Sequence, residues 1–150
     1  MSNVIVRTAI VNEREQLEAL QWRASLNNPG DREALLANPD AIAIAEDQVA
    51  SGLMFAAQLD DKVVGFAAIL PRSEGDFELD ALFVEPGLQC HGIGRQLIAH
   101  CAQVARGRGA AAIHVVGNPH AEAFYRSCGF EMTGTERTRF GVGLLMRLAL

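Results

Sequence analysis

The sequence predicts a mixed α/β fold of the α+β type, with helices flanking one mostly antiparallel sheet. Its 150 residues, of which 49% are hydrophobic, are enough for one domain with a buried core. Three apolar runs between residues 54 and 84 are separated only by short polar turns, as in an antiparallel meander. The pattern over 92–128 then predicts helix, strand and helix, which is typical of a crossover connection. We therefore predict a single domain over 1–150.

The N-terminal third begins with a strand and continues with helices. Val4–Ile10 is a short β-type run, and apolar residues at helical spacing predict a helix over roughly 12–25. Asn12 followed by Glu15 indicates a capping box at its start. A short helix is predicted next, and a further one over Ala45–Ala50.

The middle of the chain predicts the meander. Its strands are expected at Met54–Leu59, Lys62–Leu70 and Phe77–Val84. Polar turns at 60–61 and 73–76 join them, and both are short enough to make neighbouring strands antiparallel.

The second half predicts the crossover. A helix over roughly 92–106 leads to a buried strand at Ile113–Val116, where we expect His114 to be a core histidine. Asn118 is predicted to cap the next helix. Closing strands are expected at Phe130–Met132 and Gly143–Leu148.

Composition excludes some classes of function. A formal net charge of −5 disfavours nucleic acid as the main partner, because binding phosphates needs a basic face. No apolar run approaches the roughly 20 residues of a membrane helix, and no secretory signal is visible at the N-terminus. We therefore expect a cytoplasmic protein without a membrane partner.

The three cysteines predict free thiols rather than disulfides. Cys90, Cys101 and Cys128 are an odd number, in a chain without a visible signal sequence. The neighbouring histidines do not follow a usual zinc-ligand spacing. We therefore expect no metal.

A glycine-containing turn joins the third strand of the meander to the next helix. Residues 82–95 read L-F-V-E-P-G-L-Q-C-H-G-I-G-R. Such a turn presents unpaired backbone N–H groups and the positive end of the helix dipole, which favours a phosphate or pyrophosphate. Gly92 and Gly94 allow close approach of the backbone, while Gln89 can hold the loop and Arg95 can add a charge. A tight turn without a ligand is the alternative.

Two common nucleotide motifs do not match this turn. A Walker A loop needs Lys followed by Ser or Thr, and a dinucleotide fingerprint needs a third glycine where Leu97 stands. A nucleotide-binding domain that does not bind CoA is therefore disfavoured.

Two segments in order resemble a known family. Gln89-x-x-Gly92-x-Gly94 resembles the Q/R-x-x-G-x-G/A signature of the GNAT superfamily, the acyl-CoA-dependent N-acyltransferases. The segment from Asn118 to Phe130, N-P-H-A-E-A-F-Y-R-S-C-G-F, is similar to the family's N-x-x-A-x-x-F-Y-x-x-x-G-F. The resemblance covers 62–132, and the rest of the chain agrees only in element order. It implies a sheet of about six or seven strands, splayed between the fourth and fifth.

The resemblance also implies a binding site for acetyl-CoA. Backbone amides of the signature loop would surround the CoA pyrophosphate, and the end of the preceding strand would pair with the pantetheine arm. The residues implied for the cofactor are Leu82, Phe83, Val84, Gln89, Cys90, His91, Gly92, Ile93, Gly94, Arg95, Asn118, Phe124 and Tyr125. For Asn118, a plain helix cap is the alternative interpretation.

Tyr125 and two acids are the implied catalytic residues. The family places a tyrosine acid at the position of Tyr125, and it could protonate the departing thiolate, whose thiol has a pKa near ~8.5. The alternative is an aromatic core residue beside Phe124. Glu78 resembles the family's glutamate and could accept the amine proton through water. Asp80 shares its face, and either acid could instead lie on a solvated surface.

The acceptor pocket is the least specified part. By resemblance it would be built by early helices and a late loop, here Trp22, Arg23 and the predicted loop Thr133–Gly141 with Arg137 and Arg139. The two arginines of this loop could bind a carboxylate of the acceptor, or could simply be solvated.

The resulting hypothesis is an N-acetyltransferase that moves an acetyl group from acetyl-CoA to a primary amine by direct attack in a ternary complex. A non-catalytic acyl-CoA-binding or sensing module on the same fold is the alternative. The acceptor, a small-molecule or peptide amine, is not identified by the sequence. A homodimer through the apolar C-terminal strand stays open.

Overall fold

The computed structural model describes residues 3–27, 32–89, 91–138 and 141–150. Seven strands form one sheet in the order β1-β2-β3-β4-β5-β7-β6. The strands are β1 (Val4–Thr8), β2 (Met54–Leu59), β3 (Lys62–Pro71), β4 (Phe77–Val84), β5 (Ala112–Gly117), β6 (Glu131–Thr138) and β7 (Gly141–Ala149). The helices are α1 (Arg14–Leu26), α2 (Arg32–Ala37), α3 (Glu46–Ala50), α4 (Ile93–Gly107) and α5 (Glu122–Ser127).

The sheet is mostly antiparallel and has one parallel pair, β4 with β5. Their register joins Phe77 to Ile113 and Glu78 to His114, at the start of both strands. This arrangement confirms the predicted mixed α/β class and the predicted number of strands. None of the described helices is long and apolar enough to cross a membrane.

The chain falls into two compact units. The first contains residues up to 68 together with 81–97, and the second contains 69–80 together with 98–150. The prediction of a single domain over 1–150 stays a prediction.

The first unit is built on a core beneath β1, β2 and β3. Leu17 and Leu20 from α1 are buried with Met54 and Phe66 from the strands. Gly65 in β3 is closely covered, since a Cβ there would lie 3.0 Å from the Phe83 carbonyl oxygen and 3.2 Å from Ile93 Cγ2. The absence of a side chain at this glycine therefore allows the first turn of α4 to pack directly on β3.

The second unit contains the antiparallel set β5-β7-β6. Ile113 in β5 and Met146 in β7 are each 1% exposed, and Cys101 of α4 is fully buried. Cys101 and Cys128 are free thiols, as predicted, while Cys90 lies outside the described residues.

The prediction of a late loop over Thr133–Gly141 is wrong for most of that segment. Residues up to Thr138 belong to β6, which pairs with β7, and β7 already begins at Gly141. The sequence hides this strand because β6 is at the edge of the sheet and exposes most of its side chains, so it lacks an apolar pattern. Its register shifts between Met132 and Gly134, which makes Thr133 the extra residue of a bulge.

The start of α1 also differs from the prediction. A 3₁₀ turn at Val11–Glu13 precedes the helix, and the expected capping box of Asn12 and Glu15 is not formed. Instead, the carboxylate of Glu13 accepts the backbone N–H of Ile10 at 3.0 Å. The same carboxylate binds Arg7 of β1 through two hydrogen bonds of 3.0 and 2.6 Å. The residues of the observed cap therefore lie two positions before the predicted ones.

Candidate active site

The glycine-containing turn lies in the first unit and follows the end of β4. Phe83 packs on Phe66 with ring centroids 5.5 Å apart. The backbone N–H of Glu85 donates to the Val64 carbonyl at 2.8 Å, which fixes the point where the chain leaves the sheet. The half-buried Leu82 and Val84 flank Phe83.

Gly92 sets the entry into α4. Its φ of +83° is a conformation that L-residues rarely adopt, and an added Cβ would meet nothing within 4 Å. The helix begins at Ile93, and the Gln96 N–H donates to the Gly92 carbonyl at 3.0 Å. The N–H groups of the first turn have no partner within the helix, so this end of α4 suits an anion.

Side chains around this turn are largely open to solvent. Gln89, His91 and Arg95 are exposed, Gly94 is half-buried, and Ile93 is buried against β3. Cys90, which was predicted with them, lies outside the described residues. Three of the polar side chains predicted for the cofactor are therefore exposed at or just before the start of α4.

Tyr125 is held rigidly in the second unit. Its side chain is 8% exposed and makes edge contacts with Phe124 and Phe130, at centroid distances of 5.4 and 5.3 Å. A Cβ on Gly117 would lie 3.1 Å from Cε2 of the Tyr125 ring, so the ring lies directly on the backbone of β5. A methyl group at this position would require the ring to shift by a few tenths of an ångström.

The hydroxyl of Tyr125 makes no hydrogen bond to another residue in the described part of the chain. Burial raises the pKa of Tyr125 to about 12. The phenol therefore stays protonated at neutral pH, which is the form that a general acid requires.

Asn118 forms the predicted helix cap. Its Oδ1 accepts the His120 N–H at 2.9 Å, and Pro119 occupies the first position of the 3₁₀ turn that precedes α5. The structure thus confirms the capping role of Asn118, while a contact with CoA stays a prediction.

Glu78 and Asp80 lie on the part of β4 that belongs to the second unit. Their spacing of two residues places both side chains on one face of the strand. Glu78 is half-buried and its carboxylate has no hydrogen bond or ion pair with another described residue, whereas Asp80 is exposed. Glu78 is thus the less exposed of the two acids.

The sequence did not single out the hydrogen-bonded pair of Asp76 and His114. The Nε2 of His114 lies 2.9 Å from Oδ2 of Asp76, and the pKa of Asp76 is lowered first of all by this hydrogen bond. The His114 side chain is 24% exposed, so the prediction of a core histidine is wrong, although the side chain has a partner as expected. Asp76 lies in a predicted turn, and no local pattern connects it to a histidine on another strand.

Of the predicted acceptor residues, two lie on α1 and one on β6. Arg23 is exposed and pairs with Glu85 through hydrogen bonds of 2.8 and 2.7 Å. Trp22 beside it is half-buried. Arg137 is exposed on β6 rather than on a loop, and Arg139 lies outside the described residues.

Comparison with known proteins agrees with this arrangement. Residues 14–130 match the acetyltransferase (GNAT) family. A peptidyl-lysine N-acetyltransferase, YjaB of Salmonella typhimurium, is 28% identical over 130 residues, which is 86% of this chain and 84% of the relative.

Solved structures share the fold over the whole chain. The PaiA N-acetyltransferase from Thermoplasma acidophilum, in complex with coenzyme A, superimposes with a TM-score of 0.79 at 16% identity, covering 99% of both chains. An IAA acetyltransferase from Bacillus cereus gives a TM-score of 0.74 at 21% identity, covering 99% of this chain and all of the other.

These findings place the protein in the class of acyl-CoA-dependent acyltransferases, whose sheet here contains the parallel pair of β4 and β5. Since the family match spans most of its length, the chain belongs to the acetyltransferase (GNAT) family.

Proposed function

We propose that this protein is an N-acetyltransferase that moves the acetyl group of acetyl-CoA directly to a primary amine in a ternary complex. The observation that carries the proposal is the pairing of two features in a member of this family. These are the glycine turn that opens α4 and a buried tyrosine whose hydroxyl has no hydrogen-bond partner among the described residues. A module that binds acyl-CoA without catalysis would need only the glycine turn.

The CoA pyrophosphate is proposed to bind the backbone N–H groups at the start of α4. The fit is favourable because Gly92 has no Cβ, its surroundings are open, and the helix dipole is positive there. Gln89 and Arg95 are proposed to contact the phosphates, and the main chain of Leu82–Val84 to pair with the pantetheine arm. Phe124 and Asn118 are proposed to line the same ligand.

The reaction needs two proton transfers. The amine nitrogen attacks the thioester carbonyl carbon, so that a C–N bond forms and the C–S bond breaks. The departing sulfur takes a proton from the Tyr125 hydroxyl, and the nitrogen loses a proton through water to Glu78. Asp80 is the second candidate base because it shares the face of Glu78.

The acceptor is proposed to be a small-molecule or peptide amine. A lysine-like amine has a reference pKa near ~10.4 and is mostly protonated at neutral pH, so an unpaired carboxylate favours its binding and its deprotonation. The peptidyl-lysine activity named for the Salmonella relative makes a lysine-containing peptide a reasonable first acceptor to test.

The test combines calorimetry with turnover. Acetyl-CoA and ATP are titrated into the wild type, into Gly92→Glu and into Gly109→Glu. Gly109 is a matched control, because its φ of +84° is equally strained by a side chain and its surroundings are equally open. We expect acetyl-CoA binding to the wild type and Gly109→Glu, a loss of at least about tenfold in Gly92→Glu, and no comparable binding of ATP.

Release of the free thiol of CoA, measured with a panel of amines, then distinguishes acetyl transfer from acyl-CoA sensing. Turnover with any amine supports acetyl transfer, while tight acetyl-CoA binding without turnover supports the sensing module. An absence of acetyl-CoA binding to a folded, ligand-free wild type would contradict both.

A further inference from the structure

One carboxylate in the turn before β4 is bonded to the start of β5. Oδ1 of Asp76 accepts the backbone N–H groups of Ala111 at 3.0 Å and Ala112 at 3.2 Å. Its Oδ2 lies 2.9 Å from Nε2 of His114. Both side chains are largely shielded, with 15% of Asp76 and 24% of His114 exposed. A single acid thus connects two strands through three hydrogen bonds.

This connection lies beside Glu78. Asp76 is two residues before Glu78, in the turn that leads into β4. His114 is the register partner of Glu78 on the neighbouring strand, which places those two side chains on one face. The residue opposite Glu78 on β5 is therefore bonded to the acid that precedes β4.

We propose that Asp76 and His114 form a clamp that orients Glu78 towards the acceptor amine, and that both are positioning residues for acetyl transfer. The role of Glu78 rests on the proposed function, whereas the clamp itself can be tested without turnover. The parallel register between β4 and β5 covers only two residue pairs, so the side-chain bonds of the clamp add substantially to what joins the strands. A displacement of about 1 Å at a reacting group can cost roughly 100-fold in rate, which is why such a clamp matters.

A divalent cation is the competing explanation for these residues. Ligand atoms of Glu74, Asp76 and His114 lie within 4.8 Å of one another. The hydrogen bonds favour the clamp, because Glu74 is already paired with Arg72 and both oxygens of Asp76 already have donors. A metal would have to replace these partners.

The first experiment measures amide hydrogen exchange in the full chain. We expect exchange at Ala111 and Ala112 to become about tenfold faster or more in Asp76→Ala, because their acceptor is lost. Asp76→Asn keeps an oxygen for these amides and should restore most of the protection. Glu74→Gln, in the same turn, is the matched control and should change neither amide. Unchanged protection in Asp76→Ala would overturn the clamp.

The second experiment measures kcat, KM and acetyl-CoA affinity with the best amine of the screen. We expect kcat to fall about 10- to 100-fold in Asp76→Ala and His114→Ala, with the dissociation constant for acetyl-CoA unchanged within about twofold. His114→Gln retains a donor for Asp76 and should recover most of the rate.

A double-mutant cycle shows whether the clamp acts through Glu78. Asp76→Ala should cause little further loss of kcat in a Glu78→Gln background, because the group that it positions is already gone. An equal loss in both backgrounds would overturn the positioning role, as would unchanged kcat despite faster exchange.

Two further outcomes decide between the explanations. If Ni²⁺ or Zn²⁺ raises the melting temperature of the wild type but not of Glu74→Gln, the three residues are a metal site and the clamp is overturned. If the wild type turns over no amine, the proposed function and the role of Glu78 both fail, and hydrogen exchange alone decides whether Asp76 joins the two strands.

Discussion

Tyr125 owes its fixed position to a residue that has no side chain. The ring rests on Gly117 of β5 and is enclosed by Phe124 and Phe130. A ring enclosed on these sides loses little freedom when a ligand arrives, so its hydroxyl can be aimed at one point at low entropic cost. The contact that packs the ring would therefore also orient the hydroxyl for the proposed proton transfer.

Removal of the Tyr125 hydroxyl tests its role as the acid. We expect Tyr125→Phe to lower kcat about 100-fold while binding acetyl-CoA with nearly unchanged affinity, since the ring and its contacts remain. Thiol-release kinetics and calorimetry measure the two effects. A variant with the same kcat as the wild type would mean that another group protonates the leaving sulfur.

The raised pKa of Tyr125 predicts the alkaline side of the pH profile. A general acid loses activity as the pH rises through its pKa, and burial puts that pKa at about 12. We therefore expect kcat not to decline between about pH 7 and pH 10 through loss of this proton. The pH dependence of kcat at saturating substrates measures this. A decline with an apparent pKa near 10 that disappears in Tyr125→Phe would contradict the expectation.

At the scale of elements, the contact between β3 and α4 depends on Gly65. A methyl group at this position would press on the Phe83 carbonyl and on Ile93 and Leu97, at 3.0 to 3.3 Å. The carbonyl is backbone and the two side chains are buried, so neither can move aside freely.

Gly65→Ala is therefore expected to destabilise the protein by about 1–3 kcal/mol through overpacking. Gly107→Ala is the matched control, because nothing lies within 4 Å of its added Cβ and alanine is favoured in a helix. Urea unfolding measures both. Equal stability of the two variants would show that α4 shifts to accommodate the methyl group.

The elements that could be predicted from the sequence are those with a local signal. Strands β2 and β4 begin and end as the apolar runs indicate, and Asn118 caps the 3₁₀ turn that leads into α5 because Asn followed by Pro specifies that conformation locally. The edge strand β6 was missed because its mixed polar side chains show no alternation. The start of α1 was misplaced because its cap depends on Arg7 of β1.

The residues of the candidate site also differ in whether a local sequence signal could indicate them. Tyr125 and the glycine turn lie in contiguous motifs, so the sequence indicates them directly. Asp76 and His114 are 38 residues apart and meet only because β4 and β5 are neighbours in the sheet. A pairing of this kind depends on the tertiary fold and has no signature in a single sequence.

At the scale of the whole molecule, paired carboxylates determine how the protein responds to acid. Hydrogen bonds from Arg7 and Arg23 lower the pKa of Glu13 and Glu85, and His114 lowers that of Asp76. Each acid contributes stability above its unfolded pKa and loses that contribution as the pH falls through its lower folded pKa. The protein is therefore expected to lose stability below about pH 4.5, close to the usual carboxylate values.

Thermal unfolding between about pH 7 and pH 3 measures this dependence. We expect Glu13→Gln to lower the melting temperature at neutral pH and to flatten the decline in acid, since the neutral amide does not titrate. A decline as steep as that of the wild type would assign the acid sensitivity to the other carboxylates.

The bulge at Thr133 gives β6 one residue more than the segment of β7 opposite it. Beyond the bulge, Glu136 pairs with Gly143 and shares a face with Val116 and His114, whereas Arg137 points to the opposite side. Deletion of Thr133 would make the pairing regular and leave Glu136 opposite Gly143. The strand can therefore lose one residue here without turning its charges over, so closely related chains can differ in length at this point while keeping the same charge on each face.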